Sequence, residues 1–459
     1  MSASPPIAAP AAVRRRLTRR RAAALVAVCA TLPSIDIIPD EVDFGVITWD
    51  RPRAPDNRSS CGSETRSVRI YNTGTGALNV TSIEIEAGSD PTFLITGVTN
   101  NGTAVQPPYA MVINAGQNAE VSVRFFPTRT NPGQHRGLLV VNNDQTMQST
   151  VPLRGEGTAN ARQTDTFSQL TDNKVDILWV VDDSGSMSEE QNSLAQNFNS
   201  FISYADTLGV DYQVGVITTE INDPVSGKLW ACNNFNKIIR SSDANRLQAF
   251  QCAANVTNPP GGNRRPNPGG SDEAEAGLRA ARIALEPPVI GTDNAGFLRN
   301  DARLAVIIVS DEEDQSPGPV SLYVDFFRNV KGFRNPQLVS VSAIAGDVPN
   351  GCATAEGGNR YADAVGQLNG QFESICSSSW ANLLQRIGLG VFSLRSAWSL
   401  SRAADPATVQ VTVNGSPVSQ GGSNGWVFDG SSNTVEFRGT SVPPPGASVT
   451  VSYGAICLP

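Results

Sequence analysis

Hydrophobic positions along the chain change period twice. Between residues 34 and 158 they alternate: Val42 and Phe44, Val68 and Ile70, Leu78 and Val80, Ile83 and Ile85, then Val121, Val123 and Phe125, Leu139 and Val141, Val151 and Leu153. Turn sequences such as Asn72-Thr73-Gly74-Thr75-Gly76 and Asn142-Asn143-Asp144 separate these runs. Short alternating strands between such turns predict an antiparallel sandwich. From 165 to 390 the pattern differs. Val175 to Val181 and Leu304 to Val309 are near-continuous apolar runs, as strands covered on both faces require. Tyr212 to Thr218 and Leu338 to Ala345 predict two more strands. Leu194, Phe198, Phe201 and Ile202 share one helical face, opened by Ser188 and Gln191 as a capping box. Ala274, Leu278, Ala281 and Leu285 mark another helix, and 322–330, 361–368 and 380–387 mark three more. From 391 to 459 alternation returns at Val409, Val411 and Val413, at Trp426 and Phe428, and at Val449, Val451 and Tyr453, with Asn414-Gly415 as a hairpin turn.

These periods predict a multidomain chain, and 459 residues are too many for one ordinary core. The expected units are a leader over 1–33, an Ig-like β-sandwich over 34–158, a central α/β doubly wound (Rossmann-like) domain over 165–390, and a small C-terminal β domain over 391–459. In the leader, Arg14 to Arg16 and Arg19 to Arg21 precede the apolar stretch Ala22 to Val28, an export-signal pattern too short to span a bilayer. Leu25 to Cys29 resembles a bacterial lipobox, which marks Cys29 for lipidation. The protein is therefore expected to be exported to the cell envelope, the outer-membrane surface or the extracellular space. Contact with membrane is expected only through a lipid anchor.

Charge and cysteine content narrow the picture. The formal net charge is −8 although six Arg lie in the leader, so the remainder is more acidic still. Nucleic acid, which needs a basic face, is excluded as a partner. Of seven Cys, Cys29 falls in the leader and six remain, an even set suited to disulfides in an oxidising compartment. Local pairing joins Cys232 with Cys252 and Cys352 with Cys376, leaving Cys61 with Cys457. The one histidine, His135, sits in a hydrophilic turn sequence and is expected at the surface.

Candidate chemistry sits where the apolar strands stop. Val175 to Val181 runs into Asp182-Asp183-Ser184-Gly185-Ser186-Met187, and Leu304 to Val309 into Ser310-Asp311. In an open α/β sheet, ligands bind at the carboxyl ends of strands. Asp182, Ser184 and Ser186 place three hard oxygen side chains at alternate positions there.

The D-x-S-x-S pattern of Asp182, Ser184 and Ser186 after an apolar strand resembles von Willebrand factor type A domains. V-G-V-I-T-T (214–219), G-G-S-D-E-A-E-A-G-L (269–278) and V-I-I-V-S-D-E-E-D (306–314) extend the resemblance over 165–390. It implies a metal-ion-dependent adhesion site of Asp182, Ser184, Ser186, Ser271 and Asp311, with Asp272 as the alternative to Ser271. In the N-terminal segment, D-F-G (43–45), I-Y-N-T-G (70–74), I-N-A-G-Q (113–117), V-R-F-F-P-T (123–128) and V-P-L-R-G-E-G (151–157) resemble the Ig-like bacterial choice-of-anchor D module. That likeness implies a spacer or interaction module without chemistry of its own.

Hydroxyls and carboxylates suit Mg²⁺ or Mn²⁺, since Mg²⁺ takes six oxygens in octahedral order. Two carboxylates about neutralise the ion and leave it electrophilic toward a partner's carboxylate. Ca²⁺ is a further candidate at Glu312, Glu313 and Asp314, where a solvated acidic loop is the simpler expectation. The long segment 222–268 either shapes the binding face or forms a stapled surface loop. With no P-loop, no nucleophile elbow and no histidine near the metal, the expected function is Mg²⁺-dependent binding of a partner, not catalysis. The alternatives are a structural envelope scaffold with a non-ligating metal site and, less favoured, a metal-assisted hydrolase.

Overall fold

The structure is a computed structural model that describes residues 32–48, 63–128, 130–158, 162–169, 174–222, 224–256, 275–332, 336–392, 396–444 and 446–455. Residues 34 to 158 form two five-stranded sheets packed face to face over Phe44, Val68, Val121, Phe125, Leu139 and Val151, all buried. The alternating positions of the sequence are those that point inward. His135 is the exception to expectation. It is buried in the strand Gly133–Asn143, with Nε2 3.0 Å from the Asn131 carbonyl oxygen and Nδ1 3.2 Å from Thr92 Oγ1. The pleat turns it inward beside Phe125, at 5.3 Å between ring centroids, although the residues around it are hydrophilic.

Residues 174 to 392 build a six-stranded sheet. Its strands are β1 (Lys174–Val181), β2 (Asp211–Thr218), β3 (Ile239–Arg240), β4 (Arg303–Val309), β5 (Val339–Ala345) and β6 (Phe372–Ser374), in the order β3-β2-β1-β4-β5-β6. All pairings are parallel except β2 with β3. Helices α1 (Ser188–Leu208), α2 (Arg246–Ala254) and α6 (Trp380–Phe392) cover one face; α3 (Gly277–Leu285), α4 (Val320–Asn329) and α5 (Asn359–Gln367) cover the other. Strand β1 is buried on both sides: Ile177, Trp179 and Val181 meet the first helical layer, Leu178 and Val180 the second. This explains why its sequence shows no alternation. Trp179 packs its ring against Phe198, Phe201 and Phe250, with centroids 5.2 to 6.5 Å apart. Phe250 lies on α2, inside the long segment 222–268. Cys232 and Cys252 are bonded there and almost fully buried, so this part of the segment is core, not a surface staple.

The expected fold class, a molecule organised on a Rossmann-like doubly wound α/β centre, is corrected. Strand makes up 39% of the structure and helix 23%, over five sheets. Two causes are visible. Four of the five sheets belong to the flanking segments. In the central unit α2, α3 and α5 have only nine residues each, and the described residues between β2 and β4 are largely irregular.

The C-terminal unit also differs in composition from the expected 391–459. Strand Arg162–Ser168 pairs antiparallel with Ser448–Gly454 along its whole length, so the last sheet takes its edge strand from before β1. Asp165 fastens this arrangement, accepting from Ser401 N–H at 2.7 Å and from Tyr453 Oη at 2.7 Å. Trp426 is a core residue here, its Nε1 donating to the Val418 carbonyl at 2.8 Å. The N-terminal sandwich in turn seats Ile38 and Tyr71 in the core around α3 and α4. Tyr71 Oη and Arg69 reach Asp325 at 2.8 and 2.9 Å, and Asp36 pairs with Arg282. No helix among the described residues is long and apolar enough to cross a membrane.

Candidate metal centre

In the central sheet the chain passes from β1 to β2 on one side and later returns to β4 on the other. Connections therefore leave β1 and β4 in opposite directions and open a crevice at their carboxyl ends. Asp182 and Asp311 follow those two ends. The Asp182 N–H donates to Val309 O at 2.9 Å, extending the β1–β4 ladder and setting the two loops side by side.

Asp182 is fully buried and held from three directions. Its Oδ1 accepts the Ser184 N–H at 2.8 Å, an Asx-type turn that sends the chain out of the sheet. Its Oδ2 accepts from Ser310 Oγ at 2.7 Å. Gln191 Nε2 donates to its carbonyl at 2.7 Å. Gln191 is thus a brace on the loop and not half of a capping box: α1 has Met187 at its N-cap with no side-chain cap bond. Ser184 Oγ lies 3.0 Å from Ser186 Oγ, and the Ser186 hydroxyl hydrogen-bonds the Asp311 carboxylate. Asp182, Ser184, Ser186 and Asp311 therefore meet. Asp311 is 5% exposed, and its Oδ1 is buried without a hydrogen-bond partner. Ser271 and its alternative Asp272 lie outside the described residues, as do Cys29, Cys61 and Cys457.

Sequence reasoning missed the groups that close the crevice from β2. Thr218, paired in register with Val181, is fully buried, and its hydroxyl has no hydrogen-bond partner. The Thr219 hydroxyl donates to the buried carboxylate of Glu275, just ahead of α3. Glu275 is tied further by its carbonyl, which accepts the Gln315 N–H at 2.7 Å. The available signal was the one that found Asp182: polar residues directly after an apolar strand.

The electrostatics are one-sided. Burial pushes the Asp182 carboxyl up to about 7, and the Asp311 charge adds to it against the hydrogen bonds from Ser310 and Ser184. Burial, then the Asp182 charge, pushes Glu275 up to about 9. Asp311 is raised by burial and by Glu356, while Glu190 and Glu312 are raised by burial and by Asp311. Carboxylates crowd one another here without a cation among their main influences, as a site built for a positive ion would.

The acidic run after Asp311 is spent differently. Glu313 accepts the N–H groups of Asn359 and Arg360 at 3.0 and 2.9 Å, capping α5. Asp314 binds Arg360 Nε at 3.0 Å and Ser316 Oγ at 2.7 Å. Both are therefore structural, which removes two of the three expected Ca²⁺ ligands. Among the described residues no group of three His, Cys, Asp or Glu is placed to hold a metal. The centre fits Mg²⁺ on other grounds: its donors are two carboxylates and two hydroxyls, all hard oxygens, and one carboxylate oxygen is buried and unpaired. Cys352 and Cys376 are bonded and clamp the loop that carries Glu356, whose N–H donates to Asp311 O at 2.8 Å.

A pH dependence follows. With raised carboxyls the metal-free folded state holds protons that the unfolded chain releases. The stability they confer is complete below about pH 4, the unfolded range. It is lost as pH rises through about 7 at Asp182 and about 9 at Glu275. Melting temperature without divalent ions is expected to fall between about pH 5 and about pH 9, and saturating Mg²⁺ is expected to flatten that fall. A metal-free curve that rises over this range contradicts the electrostatics described.

No protein-family model matches the chain, and no curated protein does. Solved structures give weak likenesses. A Porphyromonas gingivalis W83 protein of unknown function aligns at 12% identity and TM-score 0.19, over 28% of this chain and 48% of that one. Proximal thread matrix protein 1 from the mussel byssus aligns at 16% and 0.33, over 52% of each chain. The secreted serine protease VesC from Vibrio cholerae aligns at 19% and 0.18, over 25% and 21%. The chain spans about half or less of the length of these structures, and none carries an argument about fold or function.

Proposed function

We propose that the protein is an exported binding protein that captures a carboxylate-bearing partner through Mg²⁺ or Mn²⁺ at Asp182, Ser184, Ser186 and Asp311. The observation that carries this reading is Asp311 Oδ1, buried and unpaired on a carboxylate linked through Ser186 and Ser184 to the rigidly held Asp182. A buried acceptor without a donor is costly, and a cation removes the cost. When bound, the ion supplies an electrophilic position for an incoming carboxylate oxygen. The residues of the chain orient the donors: the Asx turn sets Ser184, and Ser310 and Gln191 hold Asp182. Motif likeness to type A domains supports the same reading, with the β units as spacers. The two disulfides, Cys232–Cys252 and Cys352–Cys376, suit an oxidising compartment, which supports export. The reading is binding rather than catalysis, because His135, the one histidine of the chain, lies in a sheet of the N-terminal sandwich.

Isothermal titration of the chelator-treated protein tests the proposal. Saturable binding of Mg²⁺ or Mn²⁺ with one site per chain is expected. Absence of binding at millimolar ion overturns it.

A further inference from the structure

Asp314 carries the bonds that fix the loop of Asp311. Its side chain is fully buried. Oδ1 accepts the Leu278 N–H at 3.2 Å and the Ser316 hydroxyl at 2.7 Å, and Oδ2 accepts from Arg360 Nε at 3.0 Å. Ser316 Oγ in turn accepts the Arg279 N–H at 2.9 Å. Arg360 Nη2 donates to the carbonyls of Ser316 and Gly318 at 2.9 and 3.0 Å. One carboxylate thereby joins the loop after β4 to the first turns of α3 and α5. Its neighbours in that loop are tied in the same directions. Glu313 caps α5, and the Gln315 N–H donates to the carbonyl of Glu275, just ahead of α3. With donors of the chain around it, the Asp314 carboxylate holds the loop rather than an ion.

The ligand loops are thus fixed on both sides of the crevice. Asp311 begins the tied segment, and its carbonyl accepts the Glu356 N–H at 2.8 Å. Asp182 is held by the Ser184 N–H, by the Ser310 hydroxyl and by its own N–H on Val309 O. Drawing the two loops apart breaks bonds of this set, and breaking those of the buried Asp314 carboxylate is costly. Such a site discriminates between ions by size. Mg²⁺ takes oxygens at ~2.0–2.1 Å in near-ideal octahedral order, whereas Ca²⁺ takes about six to eight at ~2.3–2.6 Å in flexible order. Admitting Ca²⁺ therefore needs the donors to move outward by roughly 0.3–0.5 Å each.

We infer that Asp314 is a positioning residue that sets the ion preference of the centre. With Arg360 and Ser316 it ties the Asp311 loop to α3 and α5 and keeps that loop from dilating, which favours the smaller Mg²⁺ over Ca²⁺. Selectivity then comes from a residue that touches no ion. This inference rests on the metal-centred reading above.

Calorimetric titration of the full chain with MgCl₂, and of the Mg²⁺-saturated chain with CaCl₂, gives both dissociation constants at one site. The unaltered protein is expected to bind Mg²⁺ more tightly than Ca²⁺. Asp314→Asn keeps an oxygen for the Leu278 N–H and turns an amide toward Arg360, which breaks the tie to α5. It is expected to weaken Mg²⁺ binding by about tenfold, as loss of an outer partner does. Ca²⁺ binding is expected to weaken by about twofold or less, because Ca²⁺ tolerates a looser site. Arg299→Met, at the far end of the sheet, separates positioning from general loss of stability: it is expected to leave the ratio of the two constants unchanged. Should Asp314→Asn not fold, Ser316→Ala takes its place. It spares the ion pair, removes the bonds to Asp314 and the Arg279 N–H, and is expected to shift the ratio the same way. Equal weakening of both ions, no weakening of either, or an unaltered protein without preference for Mg²⁺ overturns the inference and leaves the metal reading standing. A matching shift in Arg299→Met also overturns it. Failure of the unaltered protein to bind Mg²⁺ at all overturns both readings.

Discussion

Replacing Asp182 with Asn is expected to abolish the Mg²⁺-induced rise in melting temperature while leaving the fold intact. In the unaltered protein, ion at a hundredfold excess over Kd stabilises the folded state by about 2.7 kcal/mol. At roughly 2–4 °C per kcal/mol for a domain of this size, the rise is about 5–10 °C. Asparagine keeps an oxygen for the Ser184 N–H and places an amide beside Ser310 Oγ, which can accept from it. It cannot supply the charge the ion needs. The metal-free comparison is equally informative. The carboxyl of Asp182 is buried, lies near Asp311 and is pushed up to about 7, so its ionised form weakens the fold without a cation. Above that pH the metal-free variant is expected to melt at or above the temperature of the parent chain. Differential scanning calorimetry with and without MgCl₂ separates the cases, and an unchanged Mg²⁺ shift in the variant means the ion binds elsewhere.

Replacing Arg299 with Met is expected to cost about 3–5 kcal/mol, because it strands a charge inside the protein. Asp176 is fully buried in β1, at the end of the strand away from the metal centre. Arg299 donates to it from its backbone N–H and from Nε, both at 2.7 Å, and its guanidinium also reaches the carbonyls of Val175 and Asp211 at 3.2 Å. Lys331 Nζ stands 3.8 Å from the same carboxylate. Burial raises the Asp176 carboxyl even so, against the pull of Arg299 and Lys331. With Arg299 gone, the surviving lysine gives only partial relief. The double variant Asp176→Asn with Arg299→Met is expected to recover much of the loss, since no uncompensated charge remains. Urea midpoints measure both. A single variant as stable as the parent refutes the coupling. Because this network lies at the opposite end of the sheet, Mg²⁺ affinity is expected to be unchanged in whichever variant remains folded.

How much of this was legible in the sequence depends on the range of the interaction concerned. Strand β1 and its site loop could be read directly, since the five successive apolar residues Ile177 to Val181 and three oxygens at alternate positions are local patterns. Both bonded cysteine pairs could be read too, each closing a loop of 20 or 24 residues. The capping box at Ser188 failed because Gln191 has a better partner, a carbonyl freed where the chain leaves the sheet. His135 failed because a strand pleat, not its polar neighbours, sets which way it points. Glu275 went unnoticed because its meaning depends on Thr219, 56 positions earlier, and on Asp182, earlier still.

The sequence by itself determined where the strands β1, β2, β4 and β5 and the helices α1, α3, α4, α5 and α6 form, and that Asp182, Ser184 and Ser186 share one loop. Period and composition act within a few residues, so a single stretch of chain carries them. Only the tertiary structure decided that β1 and β4 are neighbours with Asp311 beside Ser186, that Arg162–Ser168 completes a sheet with Ser448–Gly454, and that strand outweighs helix across five sheets. Those outcomes arise from pairing between distant segments, where many partners satisfy the same local pattern. Burial of the whole surface selects among them.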